Sequence, residues 1–282
     1  MMKSDFYKIF VFMAAILPLL AATTNSSAEV TDWQDLGGGR ARLITVYDPV
    51  EGTIEGIVDV ELQPGWVTYW RNPGESGIPP IFDFSKSSGV SVEQPLFPVP
   101  TAKHAAGIIS IVYKNHVAFP FKAQPVISPL SGVLQLEMVI GVCEEICIPA
   151  MSSFSQDLSK LNYSDLTSNE MIRQAYLKIP VTKADNPETP VILNAKWKTN
   201  SVVAVEARIP QSASKPELFA EGDDNWFFFP AKISKREGDI TTFALSMAEL
   251  PKKADLSATP LRLTLTADGV GSERSIIVGN FK

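Results

Sequence analysis

The chain has 282 residues, a formal net charge of −6, 45% hydrophobic residues, 17 glycines and 21 prolines. This acidity argues against a nucleic-acid partner, and the apolar content is enough to build real cores, which excludes disorder for the bulk of the chain. With two histidines and no nucleophile-elbow pattern, a hydrolase triad has nothing to rest on.

At the amino terminus, Lys3 and Lys8 precede an apolar run from Ile9 to Ala22, and Ser26-Ser27-Ala28 offers small residues for cleavage before Glu29. The run is short of the roughly 20 residues a membrane span needs and is followed at once by Thr23, Thr24 and Asn25. Residues 1–28 therefore read as a bacterial secretory signal peptide. The mature chain is expected to be periplasmic, without stable membrane insertion, in a compartment where disulfides persist. Loss of the peptide removes two lysines and one aspartate and moves the charge from −6 to −7.

Beyond the leader, the periodicity is that of strands. The segments Ala41–Val46, Ile54–Leu62 and Gly132–Ile140 are short, β-branched and bounded by Gly or Pro, which predicts an antiparallel sandwich over residues 29–160. Between them, the loop Arg71–Pro80 carries three prolines that cannot serve a central ladder. From Ser164 to Lys178 the apolar spacing suits one short helix with Ser168 as its cap, read as a connector. The stretch Val181–Pro190 is polar and proline-bearing, so residues 161–190 are expected to link two domains. Strand patterns resume at Val191–Trp197, Ser201–Ala207, Asn225–Phe229, Thr241–Leu245 and Leu261–Thr266, predicting a second sandwich over 191–282. The expected fold class is thus all-β.

The chemistry concentrates in Gly141-Val142-Cys143-Glu144-Glu145-Ile146-Cys147-Ile148-Pro149, which holds the only two cysteines. On an extended strand their Cα atoms would sit roughly 13 Å apart, whereas a disulfide needs them within about 7 Å, so the segment must bend between them. A bridge there closes a loop of only five residues, worth about 2 kcal/mol by chain entropy against about 4.7 for a hundred-residue loop. A purely structural staple would be poorly placed. Glu144 and Glu145 are expected to raise the thiol pKa values, since like charge disfavours a thiolate, and so to slow random exchange. The bland alternative is a solvent-facing acidic turn.

Other constellations compete. Trp66, Tyr69 and Trp70 are candidates for the wall of the cysteine site, the alternative being burial in the sandwich core. Arg71 is a candidate partner for the acidic turn or for a rim salt bridge. His104 and His116 with the two thiols, and Met138 and Met151 as soft ligands, would make a copper or zinc site, although the spacing matches no compact ligand motif. Neither a metal nor a cofactor is assigned to the pair.

Three ordered blocks carry a resemblance: Trp66–Gly77, Tyr113–Pro120 and Val142–Pro149. Together they resemble the amino-terminal domain of the thiol:disulfide interchange protein DsbD, in its ScsB-like branch, over about Leu43 to Leu158. The resemblance implies an immunoglobulin-like β-sandwich whose reduced cysteine pair passes two electrons to periplasmic thioredoxin-like oxidoreductases. It implies that Cys147 forms the mixed disulfide and Cys143 resolves it. It also implies a cap loop near Pro100–Gly107, which here lacks an aromatic residue, leaving His104 as the substitute. Full-length relatives add a membrane domain and a thioredoxin domain, so the expected membrane electron donor acts in trans. Two readings of other classes stand beside this one: a copper-handling protein using the same thiols, and a non-catalytic interaction module with a structural disulfide.

Overall fold

A computed structural model describes residues 29–105, 107–161, 165–183, 185–199, 201–222, 226, 228–247 and 260–278; the signal-peptide expectation for 1–28 lies outside them. The first half contains β1 (Glu29–Val30), β2 (Gln34–Asp35), β3 (Gly39–Asp48), β4 (Thr53–Leu62), β5 (Val67–Gly74), β6 (Ile81–Asp83), β7 (Val90–Val92), β8 (Thr101–Ala105), β9 (Ile108–Lys114), β10 (His116–Pro125), β11 (Val133–Cys143) and β12 (Cys147–Asp157). One antiparallel sheet runs β1-β3-β4-β10-β7 with β2 beside β3, and a second runs β12-β11-β5-β9-β8 with β6 beside β11. Alternate residues of the two sheets, among them Leu43, Val58, Phe119 and Phe121 from one and Trp70, Leu136, Ile140 and Phe154 from the other, meet in one continuous core. The strand pattern read from the sequence is therefore that of two sheets packed face to face.

The helix α1 (Leu166–Tyr176) differs from expectation in its cap and its role. Asp165, not Ser168, is the cap: its carboxylate accepts from the Ser168 amide at 3.0 Å, and its charge suits the positive end of the helix. The helix does more than connect, because Ile172 and Ala175 bury against Ile44, Val46, Ile57 and Ala118 on the outer face of the first sheet.

The second half contains β13 (Val191–Thr199), β14 (Val202–Arg208), β15 (Glu217–Glu221), β16 (Lys232–Glu237), β17 (Ile240–Ser246), β18 (Pro260–Ala267) and β19 (Val270–Ile277). They form the sheets β13-β14-β17-β16 and β15-β18-β19, with a core of their own that includes Trp197, Val205, Phe243 and Leu263. Of the predicted strand Asn225–Phe229, residues 225 and 227 lie outside those described. Trp226 and Phe228 drop into this core, and an isolated bridge ties Phe228 to Met247.

The two halves meet at a partly buried ion cluster around Arg71 of β5. Arg71 lies over the Trp70 ring at 4.4 Å, pairs with Glu221 at 2.6 Å and also with Glu273; Arg262 holds Glu221 at 3.0 Å and Thr264 donates to Glu273 at 2.8 Å. Arg71 is thus neither partner of the acidic turn nor a rim residue. Burial by itself would lower its pKa, but Glu221 and Glu273 outweigh that and raise it. Trp70 completes the junction by meeting Phe219 at 5.8 Å between ring centres. Replacing Arg71 by Leu leaves two partly buried carboxylates short of a partner and is expected to cost roughly 3 kcal/mol. A lowered urea midpoint of the purified protein measures it; an unchanged midpoint would contradict the partly buried cluster.

A second buried charge has a pH signature. Asp59, 1% exposed, is held by Arg42 at 2.8 Å and by the His116 ring at 2.6 Å. The hydrogen bond to Asp59 raises the His116 pKa above 6.5. The protonated form is therefore favoured by folding, so its contribution is complete below the unfolded value and disappears as pH rises through the raised folded value. The stability gap between the parent and His116→Gln is expected to be widest near about pH 5.5 and to narrow toward about pH 9, as read from urea midpoints.

Candidate functional site

β11 and β12 form a hairpin in which Cys143 stands directly opposite Cys147 across Glu144-Glu145-Ile146. The hairpin tip supplies the reversal that the cysteine spacing demands. The two residues are joined as a disulfide with Cα atoms 4.2 Å apart, near the roughly 4.5 Å of a non-hydrogen-bonded antiparallel pair. Their environments differ sharply: Cys143 is 3% exposed, whereas Cys147 opens an exposed run on an edge strand. Exposed Ile146 and Ile148 flank Cys147, and Met151 lies further along the same strand.

The site occupies the face of its sheet turned away from the main core. Strand alternation on β5 sends Val67 and Tyr69 outward, where they join Val112 and Cys143, while Thr68 and Trp70 turn inward. Tyr69 reaches Cys147, its hydroxyl donating to the sulfur at 3.2 Å. Burial raises the Tyr69 pKa, so the phenol keeps its proton at physiological pH. Around the pair is a cavity of about 180 Å³ lined by Tyr69, Lys103, Ala105, Ser110, Glu144 and both sulfurs.

The other residues predicted for the wall lie elsewhere. Trp70 is wholly buried in the main core, and Trp66 packs against that core across Gly38, where an added Cβ would come within 1.9 Å of its ring. His104 is exposed and does not line the cavity; its neighbours Lys103 and Ala105 do, as alternation along β8 dictates. The predicted cap loop is a hairpin of β8 and β9 turning at Gly107, whose φ of 81° suits glycine. Glu144 faces the cavity and Glu145 is exposed on the tip. His116 is committed to Asp59, Met138 is buried in the main core, and among the described residues no group of three or more His, Cys, Asp or Glu is placed to hold a metal.

The loop after β5 explains the motif Arg71-Asn72-Pro73-Gly74-Glu75-Ser76-Gly77. β5 runs on to Gly74, and its register slips between Tyr69 and Gly74, so Pro73 sacrifices no ladder bond there. Asn72 accepts from the Gly74 amide at 3.2 Å, Glu75 donates to the Ile109 carbonyl at 3.0 Å and accepts from its amide at 2.6 Å, and Ser110 donates to the Ser76 carbonyl at 3.1 Å. The loop is thereby stitched to β9 over the Tyr69 ring. Sequence reasoning missed the two glycines that make room for that ring. An added Cβ at Gly77 would come within 2.2 Å of it, and one at Gly141 within 3.1 Å. Gly141 precedes Cys143 by two positions on one strand and so shares its face, which the pattern Gly-Val-Cys already implies.

Comparison with known proteins follows this geometry. The family described as thiol:disulfide interchange protein DsbD, N-terminal, matches residues 42–159. That segment, somewhat under half of the chain, is therefore similar to the DsbD amino-terminal family. The crystal structure of the N-terminal periplasmic domain of ScsB from Proteus mirabilis matches at a TM-score of 0.71 and 23% identity, over 90% of this chain and 99% of that one. Its fold therefore extends through both halves. A conserved domain protein from Bacillus anthracis matches at a TM-score of 0.24 and 9% identity over 86% of this chain and 78% of that one, too low a score to bear on the fold. Comparison with curated proteins returns no match. The matched segment contains the disulfide and every residue lining its cavity, so the site lies wholly within the part of the chain that is similar to the thiol:disulfide interchange family. Among the described residues no helix is long and apolar enough to cross a membrane.

The unequal exposure of the two sulfurs has a direct consequence for the reduced protein. Limiting iodoacetamide is expected to label Cys147 at least tenfold faster than Cys143, a burial-limited ratio of order-of-magnitude size. Peptide mass spectrometry of the partly alkylated dithiol measures it; equal labelling would show that reduction opens the hairpin.

Proposed function

We propose that this protein is a periplasmic thiol:disulfide carrier that relays two electrons through Cys143 and Cys147 to thioredoxin-like oxidoreductases and is itself re-reduced by a membrane electron donor. The observation that carries the reading is the asymmetric disulfide at an exposed hairpin tip within a DsbD amino-terminal segment. In the forward half-reaction the Cys147 thiolate attacks a partner disulfide and expels one partner sulfur as thiolate, giving a mixed disulfide. Cys143, once deprotonated, then attacks the Cys147 sulfur, reforms the intramolecular disulfide and releases the second partner sulfur. The partner is reduced by two electrons and the pair is oxidised by two. Burial of Cys143 supports its role as the resolving thiol, because only Cys147 is open to a bulky partner.

The two sheet pairs, each with its own core, support a further reading as two immunoglobulin-like domains, 29–160 and 191–282, joined by residues 161–190 and exported by the leader 1–28. The second would hold the first through the Arg71 cluster. Copper handling finds less support, because His104 and His116 stand apart from the sulfurs.

Two measurements test the reading. Titration of the purified protein against defined thiol buffers should place its reduction potential between roughly −270 and −120 mV, the span from thioredoxin to the oxidising periplasmic enzymes. A value below about −300 mV would make the bridge structural and end the proposal. In parallel, Cys143→Ser should accumulate a mixed disulfide with a thioredoxin-like protein on non-reducing gels, whereas Cys147→Ser should not.

A further inference from the structure

We infer that Tyr69 is a catalytic residue of the exchange reaction, its hydroxyl donating a hydrogen bond that stabilises the Cys147 thiolate. The inference rests on the proposed exchange function and deepens it. Its geometric basis is the 3.2 Å contact between the phenol oxygen and the exposed sulfur of the pair. A disulfide sulfur carries no proton, so the hydroxyl is the donor, and it keeps that role when the sulfur becomes a thiolate. Donation to an ionised acceptor is stronger than donation to a neutral one, so the bond gains strength as the charge develops.

The phenol is preorganised for this role. Its ring is confined on one side by Gly77, from the loop stitched to β9, and on the other by Gly141, from the strand that carries Cys143. An alanine at Gly77 would both collide with the ring and adopt a φ of 138°, which L side chains rarely take. Its neighbour Trp70 faces the other way and is wholly buried in the core, which anchors the stretch of β5 that carries Tyr69. A burial-raised pKa keeps the donor proton in place through the pH range in which thiols titrate. The other charged or polar groups facing the sulfurs are Lys103 on β8, Ser110 on β9, Ser76 in the stitched loop and Glu144 at the tip. Lys103 favours a thiolate and Glu144 disfavours it, and both are unchanged by substitution at Tyr69.

The chemistry gives a signature that loss of packing would not. Removing one hydrogen bond to a thiolate is expected to reduce the thiolate fraction of Cys147 about tenfold at pH values below its pKa. The remaining thiolate, now more basic, is intrinsically about threefold more nucleophilic, since nucleophilicity rises with pKa with a slope near 0.4 to 0.5. The Tyr69→Phe variant should therefore react about threefold more slowly below the thiol pKa and about threefold faster well above it. The two pH–rate profiles should cross.

The experiment measures mixed-disulfide formation between glutathione disulfide and Cys147 as a function of pH. It uses the full mature chain carrying Cys143→Ser, with and without Tyr69→Phe, and follows the thiolate separately by its ultraviolet absorbance. Crossing profiles with an upward-shifted titration support the inference. Superimposed profiles, or a uniform slowing at all pH values without a shifted titration, overturn it while leaving the exchange reading intact. If Cys147 of the parent fails to react with glutathione disulfide at any pH, both fall. Gly77→Ala keeps the hydroxyl but displaces the ring, and should reproduce the Phe profile; a parental profile there would count against the preorganisation.

Discussion

A guanidinium taken out of water must be met by charge, and in this protein that requirement fixes the relation between the two halves. Arg71 projects from β5 of the first half and finds Glu221 and Glu273 on β15 and β19 of the second. Separation of the halves would strand the Arg71 cation and take one partner from each carboxylate, leaving Glu221 to Arg262 and Glu273 to Thr264, so breaking the cluster is costly. Trp70 under the guanidinium and Phe219 beyond it cover one side of the cluster. β5 is thus the shared element. Two residues before Arg71, the same strand presents Tyr69 to Cys147.

The cysteine pair gains its asymmetry from sheet geometry rather than from a special fold of the loop. A non-hydrogen-bonded antiparallel pair brings opposed side chains close on one face, which lets the hairpin tip close a disulfide without distorting the ladder behind it. β11 is interior and β12 lies at the edge, so one sulfur is covered by Val67, Tyr69 and Val112 while the other faces solvent. In the proposed exchange reaction the same division separates the attacking position from the resolving one.

Much of this was legible in the sequence. β3, β4, β11, β13, β14, β17 and β18 all show as β-branched runs, because their buried residues are large and regularly spaced. β12 did not show, for the opposite reason: its inward side chains include Ser152 and Gln156, and Gln156 is accommodated by hydrogen bonds, accepting from Thr45 at 2.9 Å and donating to the Leu43 carbonyl at 3.4 Å. β16 is exposed along its whole length and exists by pairing with β17, so no burial pattern marks it. At the site, the cysteines and Tyr69 were readable, while Trp70 and Trp66 were not separable from Tyr69 without knowing which face each takes. A one-residue step along a strand decides between core and site, and composition does not carry that information. The helix cap fell to Asp165 rather than Ser168 because both residue types cap well and only the local geometry chooses.

One quiet feature bears on how such a site can be displayed safely. An edge strand presents unpaired amides and carbonyls that invite another strand, including one from a second copy of the same chain. Here the side-chain amide of Gln34 binds both the Ser153 carbonyl and, at 3.3 Å, the Ser153 amide, imitating a short stretch of neighbouring strand. Four residues back toward Cys147, on the same side of β12, stands Pro149, which has no N–H to offer. The edge that exhibits the exposed sulfur is in this way made a poor template for pairing with a strand of a second copy, so the sulfur can stay in view without the edge inviting sheet extension.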